Sequence, residues 1–163
     1  MDITLATPAD LSAVLDVYAA ARRFMKEAGN PHQWGDRDPA PAVVEGDLAA
    51  GRLYLCREGE TILGVFCYFE DVEPVYDRLT GGAWLNDEPY GVIHRIAVAE
   101  AGRGRGVARF CFDYAFSRCR NLKIDTHRDN LPMQKALAKA GFVYCGVVHY
   151  DKNDGERLAY QRV

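Results

Sequence analysis

Arg103-Gly104-Arg105-Gly106-Val107-Ala108 places two glycines and two arginines where an apolar run gives way to a helical pattern. The run before it, Val92-Ile93-His94-Arg95-Ile96-Ala97-Val98, reads as a buried strand. After it, Val107, Phe110, Cys111, Tyr114 and Ala115 recur at helical spacing. The glycines therefore fall in a strand-to-helix turn, where they let a ligand come close to the backbone and the first N–H groups of the helix point into that space. The helix dipole and the arginines add positive potential. This chemistry suits a phosphate or pyrophosphate. The turn lacks the Gly-Lys-Ser/Thr of a triphosphate loop. It also lacks complete G-x-G-x-x-G spacing and comes late in the chain, which excludes a dinucleotide fingerprint.

The spacing Arg103-x-x-Gly106-x-Ala108 resembles the acyl-CoA signature of the GNAT superfamily of N-acetyltransferases. Downstream, Asn130-x-x-Met133 followed by Ala140-Gly141-Phe142 resembles that family's second conserved segment. The resemblance covers most of the chain and is most specific from Val92 to Phe142. It implies acetyl-CoA as co-substrate, no metal, and direct transfer of the acetyl group to a primary amine in a ternary complex. The acceptor would be a small molecule or a peptide, and the protein a monomer or homodimer. The backbone from Arg103 to Ala108 would hold the pyrophosphate. The strand Ile96-Ala97-Val98 would align the pantetheine arm and polarise the thioester carbonyl, while Asn130 and Met133 would contact the arm. Asn130 also reads as a helix N-cap.

The resemblance also sets the catalytic question. An alkyl ammonium has a pKa of about 10.4, so a base or a water chain must take its proton. The position where many members carry a glutamate is Val92 here. His94 lies two residues on, on the same face of a regular strand, and reads either as the base, a task a neutral imidazole suits, or as a buried, hydrogen-bonded core residue. His127, at the end of the next strand, is the second candidate base, and Asp125 either acts on the acceptor or orients a histidine. The family tyrosine that protonates the leaving thiolate is replaced by Leu137, which leaves Tyr144 or Tyr150 as substitutes. These departures keep open an alternative, a non-catalytic acyl-CoA-binding module. Trp34, in the loop His32-Gln33-Trp34 after the first helix, is a candidate acceptor wall or a core filler. Tyr76 and Trp84 lie in the aromatic segment from Asp71 to Pro89, which reads equally as a folded insertion bounding a site or as a capped surface loop.

The elements that must position these residues follow from pattern and punctuation. Asp2 to Ala6 alternates as a first strand. Thr7-Pro8-Ala9-Asp10 starts a helix carrying Leu11, Val14, Leu15, Tyr18 and Met25 on one face, ended by Gly29 and Pro31. A short helix is expected near Ala42 to Ala50. A hairpin turns at Glu58-Gly59 between Arg52–Arg57 and Thr61–Glu70. Leu122 to Thr126 is a strand reached by a helical crossover, hence parallel to the strand before it. A helix spans Leu131 to Ala140, and strands Phe142–Tyr150 and Arg157–Val163 flank an Asn153-Asp154-Gly155 turn. The reading is one α/β domain over residues 1–163, a GNAT-like mixed sheet of about six to seven strands with helices on both faces and the parallel cofactor strands in the middle.

The 163 residues, 48% of them apolar, suffice for one packed core. No apolar run approaches a membrane span and the first residues do not read as a signal peptide, so a cytoplasmic protein is expected. Five cysteines without a C-x-x-C pair read as buried thiols. A net charge of −3 argues against a nucleic-acid partner, while Arg103, Arg105, Arg109, Arg118 and Arg120 cluster as a small polyanion site would require.

Overall fold

The computed structural model describes residues 1–163. The elements are β1 (Asp2–Leu5), α1 (Leu11–Glu27), α2 (Pro41–Ala49), β2 (Leu53–Glu58), β3 (Thr61–Phe69), β4 (Gly91–Val98), α3 (Val107–Arg118), β5 (Leu122–Thr126), α4 (Leu131–Lys139), β6 (Val143–His149) and β7 (Glu156–Arg162). Single turns of 3-10 helix cover Pro8–Asp10 and Glu100–Gly102, and a slightly longer one covers Pro74–Arg78. The seven strands form one sheet in the order β1-β2-β3-β4-β5-β7-β6. Only β4 and β5 pair in parallel, at the centre.

Each end of this arrangement has a local cause. The expected capping box forms, with the Thr7 N–H and hydroxyl both donating to the Asp10 carboxylate, 2.7 and 2.8 Å. Asp10 also pairs with Arg57 of β2, which ties the start of α1 to the sheet. Val14, Val17, Tyr18 and Ala21 of α1 are buried on β2, β3 and Ala97, forming the core on one face of the sheet. On the other face α3 and α4 bury Val107, Cys111, Phe112, Ala115 and Leu137 against Leu63, Phe66, Ile93 and Ile124. β7 inserts between β5 and β6, antiparallel to both. The segment between β3 and β4 folds back over the sheet, burying Val75 and Tyr76 on Val92, Val148 and Ala159.

Two irregularities shape the centre. In β4 the register against β3 slips between Val65↔Ala97 and Cys67↔His94, so Arg95 and Ile96 together oppose one residue. Arg95 takes φ +51° at this bulge. It is held there by Tyr18, whose hydroxyl donates to the Arg95 carbonyl (2.8 Å), and by Asp47, which receives its guanidinium at 2.7 and 2.8 Å. Second, β4 and β5 pair only at Gly91↔Leu122 and Val92↔Lys123, then part. Beyond Val92 the central sheet opens into a wedge.

The fully buried Phe112 meets Phe142 edge-on at 5.3 Å, joining α3 to the chain after α4. Phe112→Ala is expected to cost about 3–5 kcal/mol of stability, read from urea unfolding midpoints.

Candidate active site

The wedge holds two adjoining cavities. The narrower, about 180 Å³, runs between α1, the end of β4 and α4, lined chiefly by Phe24, Met25, Asn30, Val98, Arg103 and Met133. The wider, about 420 Å³, lies beyond the bulge and includes Trp34, Phe69, Glu73, His94, Asp125 and Tyr150. Met25, Ile96, Asn130 and Met133 line both, so the two spaces meet at the bulge.

At one end of the narrow channel stands the glycine turn. Gly104 and Gly106 take φ +72° and +75°, the left-handed region that favours glycine. A Cβ at either would meet nothing within 4 Å, so both face open space. Gly106 is the N-cap of α3 and supplies no side-chain cap, which leaves the first N–H groups of the helix without intrahelical partners. Arg103 lays its guanidinium on the Phe24 ring at 4.4 Å, and Arg105 pairs with exposed Glu58 at 2.8 Å. Val107 is buried beneath the turn and Ala108 lines the channel.

Along the channel, the Ala99 N–H donates to Leu63 of β3. By the alternation of a strand, the N–H of Val98 then turns toward the wedge. Ala97 packs in the α1 core, with its edge on the channel. Asn130 caps α4 by accepting from the Met133 N–H (3.2 Å). That bond fixes its amide, so its nitrogen donates to Gln33 Oε1 (2.9 Å). The same oxygen accepts from the Asn30 amide nitrogen (2.8 Å). Asn30 Oδ1 is thereby left over, buried without a donor on the channel wall.

In the wide cavity, His94 Nε2 lies 2.7 Å from Glu73 Oε2. This hydrogen bond holds the Glu73 carboxyl below the usual carboxylate range, so Glu73 is ionised at neutral pH and accepts. Neutral His94 is then the Nε2–H tautomer, and Nδ1 carries the free lone pair. Asp125 Oδ2 accepts from both Tyr76 (2.9 Å) and Tyr150 (2.7 Å), whose hydroxyls burial pushes well above the ordinary phenol range. Trp34 lines this cavity and meets Tyr18 edge-on at 5.6 Å.

Folding lowers the pKa of Glu73, and of Asp10 through the Thr7 backbone hydrogen bond. Each contributes stability that is full above its ordinary value, 4.5 and 3.8, and is lost as pH drops through the lowered folded value. A thermal melt series is expected to show these contributions constant above roughly pH 5 and falling away below roughly pH 4.

Four of the catalytic and acceptor candidates singled out from the sequence, His127, Tyr144, Trp84 and Tyr76, line neither cavity. His127 is buried, with Nδ1 accepting from the Asp129 N–H (3.1 Å) and Nε2 on Asp154 (2.9 Å), so both ring nitrogens are committed to the turns they brace. Tyr144 lies half exposed on the edge strand β6 against Tyr160. Trp84 donates its ring N–H to the Tyr76 carbonyl and stacks under the Lys123 ammonium in a separate surface depression. Tyr76 reaches the site from behind, through its hydrogen bond to Asp125 and its ring against His94. Conversely Glu73, Asn30, Thr126 and Arg157 line the cavities without having stood out in sequence. Glu73 and His94 are 21 residues apart, and no local spacing links them. The one available signal was the acidic stretch Glu70-Asp71-Val72-Glu73 entering the aromatic segment.

A search of curated proteins gave no match. Among solved structures, a GNAT family acetyltransferase from Streptococcus agalactiae is 30% identical, with 99% of this chain and 94% of that one covered and a TM-score of 0.90. The Salmonella typhimurium protein yncA, solved with its cofactor acetyl-CoA, shares the fold at 15% identity, TM-score 0.65, over 98% and 91% of the two chains. A ribosomal-protein-alanine N-acetyltransferase from Brucella melitensis shares it at 17%, TM-score 0.66, over 100% and 99%. No helix is long and apolar enough to cross a membrane. The family model of the acetyltransferase (GNAT) family matches residues 15–142, across the channel, the turn and the bulge, and the chain belongs to that family.

Proposed function

We propose that the protein acetylates a primary amine by direct transfer from acetyl-CoA, with His94 as the base and Glu73 as its partner. The observation that carries the reading is the His94–Glu73 pair in a cavity that meets the narrow channel at the bulge. Acetyl-CoA, used across the GNAT family, would supply an activated thioester. The residues present fit it. The uncapped start of α3 and Arg103 suit its phosphates. The unpartnered Asn30 Oδ1 is an acceptor for an amide N–H of its arm, and the Val98 N–H is a donor on the opposite wall.

The acceptor amine loses its proton to His94 Nδ1, and ionised Glu73 stabilises the imidazolium that forms. Tyr150, which lines the same cavity and donates its hydroxyl to Asp125, is the candidate to replace the absent family tyrosine, and its raised pKa keeps it protonated. Much of the rate comes from holding amine and thioester together at the junction of the two spaces. Incubating the protein with acetyl-CoA and an amine panel, and following CoA release, tests the activity. Its absence with every amine, despite CoA binding, would overturn the reading.

Transfer needs no acyl-enzyme. No cysteine lines either cavity. Burial pushes the Cys67 thiol up to about 12, and Cys111, hydrogen-bonded to Cys56, is raised well above the ordinary thiol range. Intact mass spectrometry after mixing with acetyl-CoA alone is expected to show no stoichiometric acetyl adduct. A chemically competent adduct on any cysteine would replace direct transfer by a two-step route.

A further inference from the structure

We infer that the acceptor is a small zwitterion carrying a carboxylate beside its amine, an amino acid in chemical class, because the wide cavity sets two guanidiniums without counter-ions and an unpartnered hydroxyl beside the carboxylates that draw the amine. The inference rests on the transfer reading above and names its substrate.

The charged groups lining the cavity divide into satisfied and unsatisfied. Arg95 is neutralised by its two-pronged bond to Asp47, and half-buried Asp38 pairs with Lys152 at 3.4 Å. Glu73 and Asp125 have partners that bring no fixed charge, a histidine and two tyrosines, so both keep negative potential for an ammonium. Arg157 and Arg52 are the counterpart. Arg157 is 4% exposed, and its three hydrogen bonds all end on main-chain oxygens, those of Asp154 (2.7 Å), Glu156 (2.8 Å) and Gln33 (3.2 Å). It has no carboxylate in salt-bridge range. Arg52 lies over the Phe69 ring at 4.7 Å, also without a carboxylate. A buried guanidinium on a cavity wall, with no anion of its own, favours a ligand that brings one.

Thr126 supplies an independent pointer. The residue is 1% exposed, it lines the same cavity at the open end of β5, and its Oγ1 has no hydrogen-bond partner. A buried hydroxyl is rarely left unmatched in a folded protein, and this one is a donor available to a carboxylate oxygen. A polyamine would set its second cation against Arg157 and Arg52. A protein lysine would leave both guanidiniums unmatched. A phosphate ester would bring extra negative charge toward Glu73 and Asp125.

Arg157 also ties Gln33 and the β6–β7 turn into place, so the test uses Thr126→Val and Arg52→Gln. Calorimetry on protein saturated with CoA compares the standard L-amino acids with their decarboxylated amines, their C-terminal amides and O-phosphoethanolamine. At least one amino acid is expected to bind ~10-fold or more tightly than its decarboxylated and amidated forms, and to be acetylated with a correspondingly higher kcat/KM. Thr126→Val, which loses no hydrogen bond of the free protein, is expected to melt no lower than the parent. It should raise the KM for the amino acid ~10-fold while leaving the KM for acetyl-CoA unchanged. Arg52→Gln should raise the same KM and erase part of the preference for the carboxylate. Equal or better binding of the decarboxylated amine, the amide or O-phosphoethanolamine would overturn the inference while leaving amine transfer standing. If CoA binds but nothing is acetylated, the transfer reading falls, and the calorimetric preference still decides which ligand class the cavity takes.

Discussion

His94→Ala is expected to lower kcat by ~10²-fold or more while leaving CoA affinity nearly unchanged. The side chain projects from β4 into the wide cavity and is absent from the walls of the narrow channel, so its removal leaves the surfaces assigned to the cofactor intact. What it removes is the only imidazole in the cavity and the partner that holds Glu73 in place. Glu73→Gln should produce a smaller fall in kcat, because the amide still orients the ring but no longer offsets the charge that develops on it. The competing outcome is concrete. His94 also meets Phe69 and Tyr76 at 5.8 and 6.1 Å between ring centres, so it fills space as well. A variant that melts lower yet turns over normally would make it a packing residue. Stopped-turnover assays and thermal melts on the same preparation separate the two.

Gly106→Glu is expected to abolish measurable CoA binding. At φ +75° any side chain there is strained, but strain is the lesser effect. The position of a Cβ is open, so the glutamate would project into the space in front of the uncapped α3 terminus. A carboxylate about 4 Å from a phosphate oxygen costs about 4 kcal/mol at an effective dielectric of 20, roughly 10³-fold in Kd. Gly106→Ala is the control, since it carries the backbone strain without the charge. Calorimetry should find CoA binding weakened in the alanine variant and lost in the glutamate variant, with both folded by circular dichroism. Normal binding by Gly106→Glu would move the phosphates elsewhere.

Local pattern carried most of the fold. The capping box at Thr7 and Asp10, the turn after Glu58 and the Asn153–Gly155 turn were all legible, because each depends on residues within a few positions of one another. So was the glycine turn between β4 and α3. The burial of α3 was legible only in part. Phe112 falls off the expected apolar face, yet it is fully buried because Phe142, from beyond α4, comes round to meet it. The place of β7 between β5 and β6 was not readable either, since strand order is decided by long-range pairing. The site shows the same division. His94, Asn130 and Asp125 stood out by type and spacing. Tyr144 and Tyr150 were equal substitutes until the fold put only Tyr150 on the cavity, and Glu73, Arg157 and Thr126 acquire their meaning only when the segment before β4 and the last hairpin are folded over the opened strands.

The short seam between β4 and β5 has a consequence for how the molecule breathes. Strands β1 to β4 and strands β5 to β7 are joined across the sheet at Gly91, Val92, Leu122 and Lys123, with the Gly91 N–H on the Asn121 carbonyl as the last stitch. The two halves are thus two leaves bound along one end of a spine. In the free protein the Val98 amide, turned toward the gap, should exchange with deuterium far faster than the Ala97 and Ala99 amides, which face β3. A chain laid along that edge would act as the missing strand between the leaves, and Val98 should then exchange as slowly as its neighbours.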